Sequence, residues 1–172
     1  MKIFLIGMPG SGKSTLGRSV ARRLGYAFED LDALITAQEG MSIPDIFKAR
    51  GEDYFRQAEQ TALYGTERLD RVVIATGGGT PCFFDNMVWM KNHGVAVWLD
   101  VSPGTIASRM NRNAEASRQR PLFAGKSKAE IAAALADMHR KRLPFYQLAQ
   151  VRVREHEARP NQVVQKIKDL AG

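Results

Sequence analysis

The segment GMPGSGKS, Gly7 to Ser14, carries the pattern GxxxxGK[ST] in full. Such a loop cradles phosphate. Glycines at 7, 10 and 12 permit tight turns with no Cβ in the way, and backbone amides point inward at a helix start. Gly10, Ser11 and Gly12 line the loop. Lys13 is spaced to reach the β and γ phosphates, and Ser14 offers a hydroxyl to Mg²⁺. The amide of Thr15, next in the chain, suits the α phosphate. A purely structural glycine turn would not need a lysine and a hydroxyl at these places. The chemistry implied is phosphoryl transfer from a nucleoside triphosphate, with ATP and Mg²⁺ expected. GTP-binding proteins share the loop but usually add an NKxD-type guanine reader, and no such tetrapeptide occurs here.

Three further features follow predicted strands, whose carboxyl ends form the ligand crevice of an open α/β sheet. In FEDLD, Asp30 and Asp32 share a side if the segment is extended. Asp32 could hold a water on Mg²⁺, accept a substrate hydroxyl or take its proton; alternatively, both acids are helix-terminal charges. In TGGG, Gly77, Gly78 and Gly79 either let a small hydroxylated ligand approach the backbone or make a turn. In FRQAE, Arg56 and Glu59 stand i,i+3 on a predicted helix and can pair. A glutamate-fixed arginine can clamp a carboxylate with two donors; the bland alternative is a surface ion pair. Two more arginines could complete the site. Arg120 in RQRPLF could close over the transferring phosphoryl group, and Arg142 in RLPFY could be a second clamp.

The elements that must position these residues can be read from apolar runs and caps. KIFLIG (2–7), YAFEDLD (26–32), RVVIAT (71–76), GVAVWLD (94–100) and QVRVR (150–154) are predicted strands. Helices are predicted over 13–24, 52–69, 85–92, 102–112, 127–148 and from Pro160 through Leu170, with Gly25 ending the first. Ser42 can cap a helix with Pro44 in its first turn, and Pro144 should interrupt or bend the 127–148 helix. Residues 113–126 contain glycine, proline and charges without a clean period, and are expected to form a mobile lid. Strands apolar on both faces, alternating with helices, call for a parallel sheet covered on both sides.

A chain of 172 residues favours one domain over 1–172. No stretch is apolar enough to span a membrane, and no secretory cleavage pattern follows the first apolar run, so a cytoplasmic location is expected. The single cysteine, Cys82, excludes an intrachain disulfide and reads as a buried small hydrophobe. The net charge of +7 is concentrated in basic stretches at 108–121 and 139–144. No zinc-ligand or paired-aromatic RNA-binding pattern accompanies them. Arginines gathered around phosphates and a carboxylate substrate explain the charge better than a nucleic-acid partner.

The ordered set GMPGSGKST, FEDLD, GMSIPDIF, GEDYFRQAE, ATGGG, RPLF and RLPFY resembles the shikimate kinase family over nearly the whole chain. The resemblance implies a nucleoside-monophosphate-kinase-like fold with a five-stranded parallel sheet in order 2-3-1-4-5. It also implies transfer of the γ-phosphoryl of ATP to the 3-hydroxyl of shikimate, a step toward chorismate and the aromatic amino acids, by an expected monomer. Carried over residue by residue, it gives Lys13 and Ser14 the loop roles. Asp32 becomes the hydroxyl-binding residue and base, Arg56 and Arg142 the carboxylate clamp, and Gly77, Gly78 and Gly79 the substrate-facing backbone. Asp30 matches the family's earlier acid, and Glu59 orients Arg56. Arg120, directly before Pro121, is the lid arginine, with Arg118 close by. Arg112, in competition with Arg109, is assigned to adenine, and Arg159–Pro160 to its other face. The lid reads RPLF where the family more often has RPLL. Another P-loop kinase of small molecules or nucleotides is the alternative.

Overall fold

The computed structural model describes residues 1–112 and 125–171. Its five strands are β1 (Lys2–Ile6), β2 (Ala27–Asp30), β3 (Val72–Ala75), β4 (Val95–Asp100) and β5 (Val151–Arg154). They form one sheet in the order β2-β3-β1-β4-β5, with every neighbouring pair parallel. The expected topology is the observed one. The register sets Leu5 of β1 beside Ala75 of β3 and Val97 of β4, so the strand ends that carry the candidate residues lie side by side.

The described helices are α1 (Lys13–Leu24), α2 (Leu31–Glu39), α3 (Ile43–Gly65), α4 (Asn86–His93), α5 (Pro103–Arg112), α6 (Lys128–Tyr146) and α7 (Pro160–Ala171). Strand alternation sorts the core into two layers. Ile3 and Leu5 pack under Leu16 and Val20 of α1 and Val163 and Ile167 of α7. Phe4 and Ile6 point the other way, onto α2 to α6, through Leu31, Phe55, Met90, Ile106 and Tyr146 among others. The result is a three-layer α/β/α fold.

Two expectations need correction. The strand from Tyr26 stops at Asp30, not Asp32, because the Asp30 side chain accepts from the amide of Asp32 and caps α2. The two acids therefore lie at a strand-to-helix junction, not along one extended face. Ser42 accepts from the Asp45 amide and starts α3 at Ile43, as its capping signal predicts, and the helix predicted over 52–69 stops short, at Gly65, before a 3-10 turn over Thr66–Arg68. Gly51, at φ 82° and ψ 176°, breaks α3 into two helical pieces. Only glycine adopts that geometry readily. Ser127 caps α6 in a reciprocal pair with Glu130, and Pro144 sits within the helix near its end. No described helix is long and apolar enough to cross a membrane.

Candidate active site

The phosphate loop leaves β1 and enters α1 with Gly7, Gly10 and Gly12 all at positive φ. Gly12 caps α1 without a side-chain hydrogen bond, so the first-turn amides have no side-chain acceptor at the cap. Lys13 is 8% exposed, and its Nζ donates to the carbonyls of Gly7 and Met8, both at 2.9 Å. The ammonium is thus folded back onto its own loop. Ser14 Oγ donates to Asp30 Oδ2 at 2.6 Å, which ties the start of α1 to the end of β2. Ser11 is buried, with its Oγ lacking a hydrogen-bond partner. Thr15 is exposed on α1.

A cavity of about 560 Å³ opens from this loop toward the other strand ends. It is lined by Gly10, Gly12, Lys13, Ser14, Thr15, Asp30, Asp32, Arg56, Glu59, Gly77, Gly78, Gly79 and Arg142 among others. Residues separated by more than a hundred positions therefore face one space. Asp32 stands in the first turn of α2. It keeps a solvent-open surface in the crevice. Nevertheless the surrounding protein, followed by the negative charges of Asp30 and Glu59, pushes its carboxyl from 3.8 up to about 6, against the opposing pull of Lys13 and Arg56. An acid poised there can exchange a proton near neutral pH.

In the same lining, Arg56 Nη1 donates to Glu59 Oε2 at 2.9 Å, while Nε and Nη2 both reach Glu52 Oε1, at 3.3 and 3.2 Å. Glu59 is fully buried, and its second oxygen accepts from Thr80 Oγ1 at 2.5 Å. By donor count, Arg56 keeps one N–H on each of Nη1 and Nη2 for a ligand. Arg142, on α6, has a buried Nη1 without a hydrogen-bond acceptor. The TGGG segment runs between these groups. A Cβ on Gly77 would stand 2.7 Å from Glu59 Oε1 and 3.3 Å from Asp32 Oδ1, and one on Gly78 would stand 2.9 Å from Arg142 Nη1. Close approach, rather than turn-making alone, explains this glycine run. Tyr146 Oη donates to the Gly78 carbonyl at 2.6 Å and so pins the segment from behind. Burial holds that phenol far above its ordinary pKa, and it stays neutral. Cys82 follows in a short 3-10 turn, Thr80–Cys82. Burial raises its thiol to about 11, despite the lowering effect of Arg142 and Arg56.

The remaining residues are less centrally placed. Arg109 Nη1 donates to the Ser11 carbonyl at 3.4 Å, which brings α5 against the phosphate loop. Arg112 is exposed at the end of the same helix. Arg159 is exposed directly before α7, and Pro160 begins it. Arg120 lies outside the described residues, as does most of the 113–126 lid segment. The sequence offered no local signal for Thr80 or Tyr146 as supports of the site, and Glu52 was not singled out. Glu52 could have been found from its i,i+4 spacing to Arg56. The other two act across the fold.

A family model described as shikimate kinase matches residues 9–171. The shikimate kinase of Phocaeicola vulgatus is 43% identical over 148 residues, covering 86% of this chain and 83% of that protein. The crystal structure of shikimate kinase from Bacteroides thetaiotaomicron superposes with a TM-score of 0.88 at 36% identity, covering 99% of this chain and 98% of that one. Shikimate kinase from Acinetobacter baumannii in complex with shikimate superposes with a TM-score of 0.85 at 31% identity, covering 99% and 92% of the two chains. A family model matched over residues 9–171, with relatives and a solved structure alike along most or nearly all of the chain, shows that the chain belongs to the shikimate kinase family.

Proposed function

We propose that this chain transfers the γ-phosphoryl group of ATP to the 3-hydroxyl of shikimate, giving shikimate 3-phosphate and ADP, with Mg²⁺ as cofactor. The observation that carries this reading is the convergence of Arg56 and Arg142 on TGGG, in the same cavity that Lys13 lines. A buried guanidinium nitrogen without an acceptor, beside a second guanidinium with two free N–H groups, suits a planar carboxylate. Shikimate brings that carboxylate on a ring carrying hydroxyls, and Asp32 stands near the clamp to meet one of them.

The uncapped first turn of α1 and the positive-φ glycines fit a triphosphate, with Gly10 to Thr15 holding its phosphates. Ser14 and Asp32 would hold Mg²⁺ and its waters, with Asp30 fixing the Ser14 hydroxyl. The ion, when bound, neutralises charge on the phosphate oxygens. Lys13 leaves its two loop carbonyls for the β and γ phosphates. Asp32 orients the attacking hydroxyl and accepts its proton. Arg120 and the 113–126 segment act as a lid, and Arg112 with Arg159–Pro160 holds adenine. The chain acts as a cytoplasmic monomer on small molecules, without a nucleic-acid partner.

The test is a coupled ADP-release assay with ATP, Mg²⁺ and either shikimate, its methyl ester, gluconate or a nucleoside monophosphate. Turnover with shikimate, and its collapse with the ester, is the expected result. Equal turnover with gluconate or a nucleotide would overturn the assignment.

A further inference from the structure

We propose that Phe83 is a positioning residue for the carboxylate clamp: its ring supports one face of the Arg56 guanidinium and thereby sets affinity for the acceptor. The inference rests on the reading of Arg56 as the group that binds the shikimate carboxylate.

The Arg56 Cζ lies 4.0 Å from the centroid of the Phe83 ring. The other arginine–aromatic contacts among the described residues run from 4.6 Å to 5.5 Å, including the Arg56 contact with Phe55 at 5.2 Å. Arg56 is only 8% exposed, so water screens this attraction less than it would at the surface. Glu59 and Glu52 hold the guanidinium by its edges. Edge contacts fix the group along its plane but leave it free to tilt. A ring against the face removes that tilt. Tilt matters here, because two-pronged recognition of a carboxylate requires the two planes to align.

The fold holds Phe83 in place through the same turn that follows TGGG. Thr80 Oγ1 donates to Glu59, which itself accepts from Arg56. Asn86, fully buried, donates its Nδ2 to the Thr80 carbonyl at 3.0 Å and its amide to the Phe83 carbonyl at 3.3 Å. The next residue, Phe84, takes φ 51° and stays 55% exposed. The chain reverses there, and of this aromatic pair only Phe83 meets the arginine. Phe83 does not line the cavity, so it acts through Arg56 and not on the acceptor. Its contribution belongs in binding of the carboxylate, not in ATP affinity or the transfer step.

Replacing Phe83 with 4-fluoro-, 3,5-difluoro- and 3,4,5-trifluorophenylalanine withdraws charge from the ring face at nearly constant shape. The KM for shikimate should climb stepwise, reaching about three- to tenfold with the trifluoro ring or with Phe83→Leu. The KM for ATP, kcat and Tm should stay near wild type, and Phe83→Tyr should restore the shikimate KM. A flat KM across the fluorinated series, or equal changes in the two substrates' KM values, would overturn the proposal. Should Phe83→Leu fail to fold, the fluorinated series decides alone. If wild type phosphorylates shikimate and the series is flat, only the role of Phe83 falls. If wild type does not phosphorylate shikimate, both readings fall.

Discussion

The place where Gly79 would carry a Cβ is 2.7 Å from Arg56 Nη1 and 2.8 Å from Arg56 Nη2. The backbone there is at φ −92°, which any residue adopts, so an alanine meets a steric obstacle and no conformational one. Gly79→Ala must push the guanidinium off its two glutamates or shift the glycine segment. The shikimate KM should rise by roughly an order of magnitude, with the ATP KM little changed. Separate titrations of the two substrates check this; equal losses would place the damage elsewhere.

Asp32 gives the site a pH signature. Its carboxyl is raised to about 6. The ligand-free enzyme must lose that proton before the residue can accept one, so kcat/KM for shikimate should fall on an acid limb with a midpoint near 6. At pH 5 roughly a tenth of the neutral value should remain. Stability runs the opposite way. The folded state keeps this proton longer than the unfolded chain, so the group's stabilising contribution is complete below 3.8 and is lost as pH rises through about 6. Asp32→Asn should abolish the acid limb along with most turnover. Its melting temperature should gain on that of wild type between pH 4 and pH 7. A constant difference across that range would show that the raised pKa is wrong.

Lys13→Ala removes a buried cation that donates to the carbonyls of Gly7 and Met8. Turnover should drop by roughly two to three orders of magnitude while circular dichroism stays native. Survival of near-normal turnover would remove Lys13 from the transfer step.

Arg142 differs from Arg56 in having a buried nitrogen with no hydrogen-bond acceptor within the protein. Leaving such a donor unsatisfied is costly, and under the proposed role an arriving carboxylate would relieve that cost. Arg142→Lys should therefore weaken shikimate by about tenfold without weakening ATP, because a point charge replaces a planar fork. Isothermal titration of each ligand separates the two. A matching loss in ATP affinity would count against a carboxylate role.

Local grammar made much of this fold legible. The apolar strands, Gly25, Ser42 and the glycine-lysine-serine loop each act within a few residues, and each stands where its chemistry requires. The failures came where a side chain changed the outcome. FEDLD reads as an extended run until Asp30 folds back onto the amide of Asp32, and the helix beginning at Leu31 then follows. The period over 52–69 hides the change to a 3-10 turn after Gly65. In the site, the pair Arg56–Glu59 was readable because it spans one helical turn. Thr80, Phe83 and Tyr146 were not. They reach it across the fold from residues that, taken singly, carry no chemical signal.

The turn that carries Cys82 bears on inhibitor design. A cysteine beside an acceptor pocket invites an electrophilic warhead, since a covalent bond would fasten a compound against Arg56 and Arg142. Only the thiolate attacks at a useful rate, and burial has raised this thiol to about 11. At neutral pH almost all of it is protonated. The two nearby arginines would lower that value, but enclosure outweighs them. Acrylamides or chloroacetamides built for this pocket would have to bind tightly before they could react, so reversible contacts to Arg56 and Arg142 should dominate their potency.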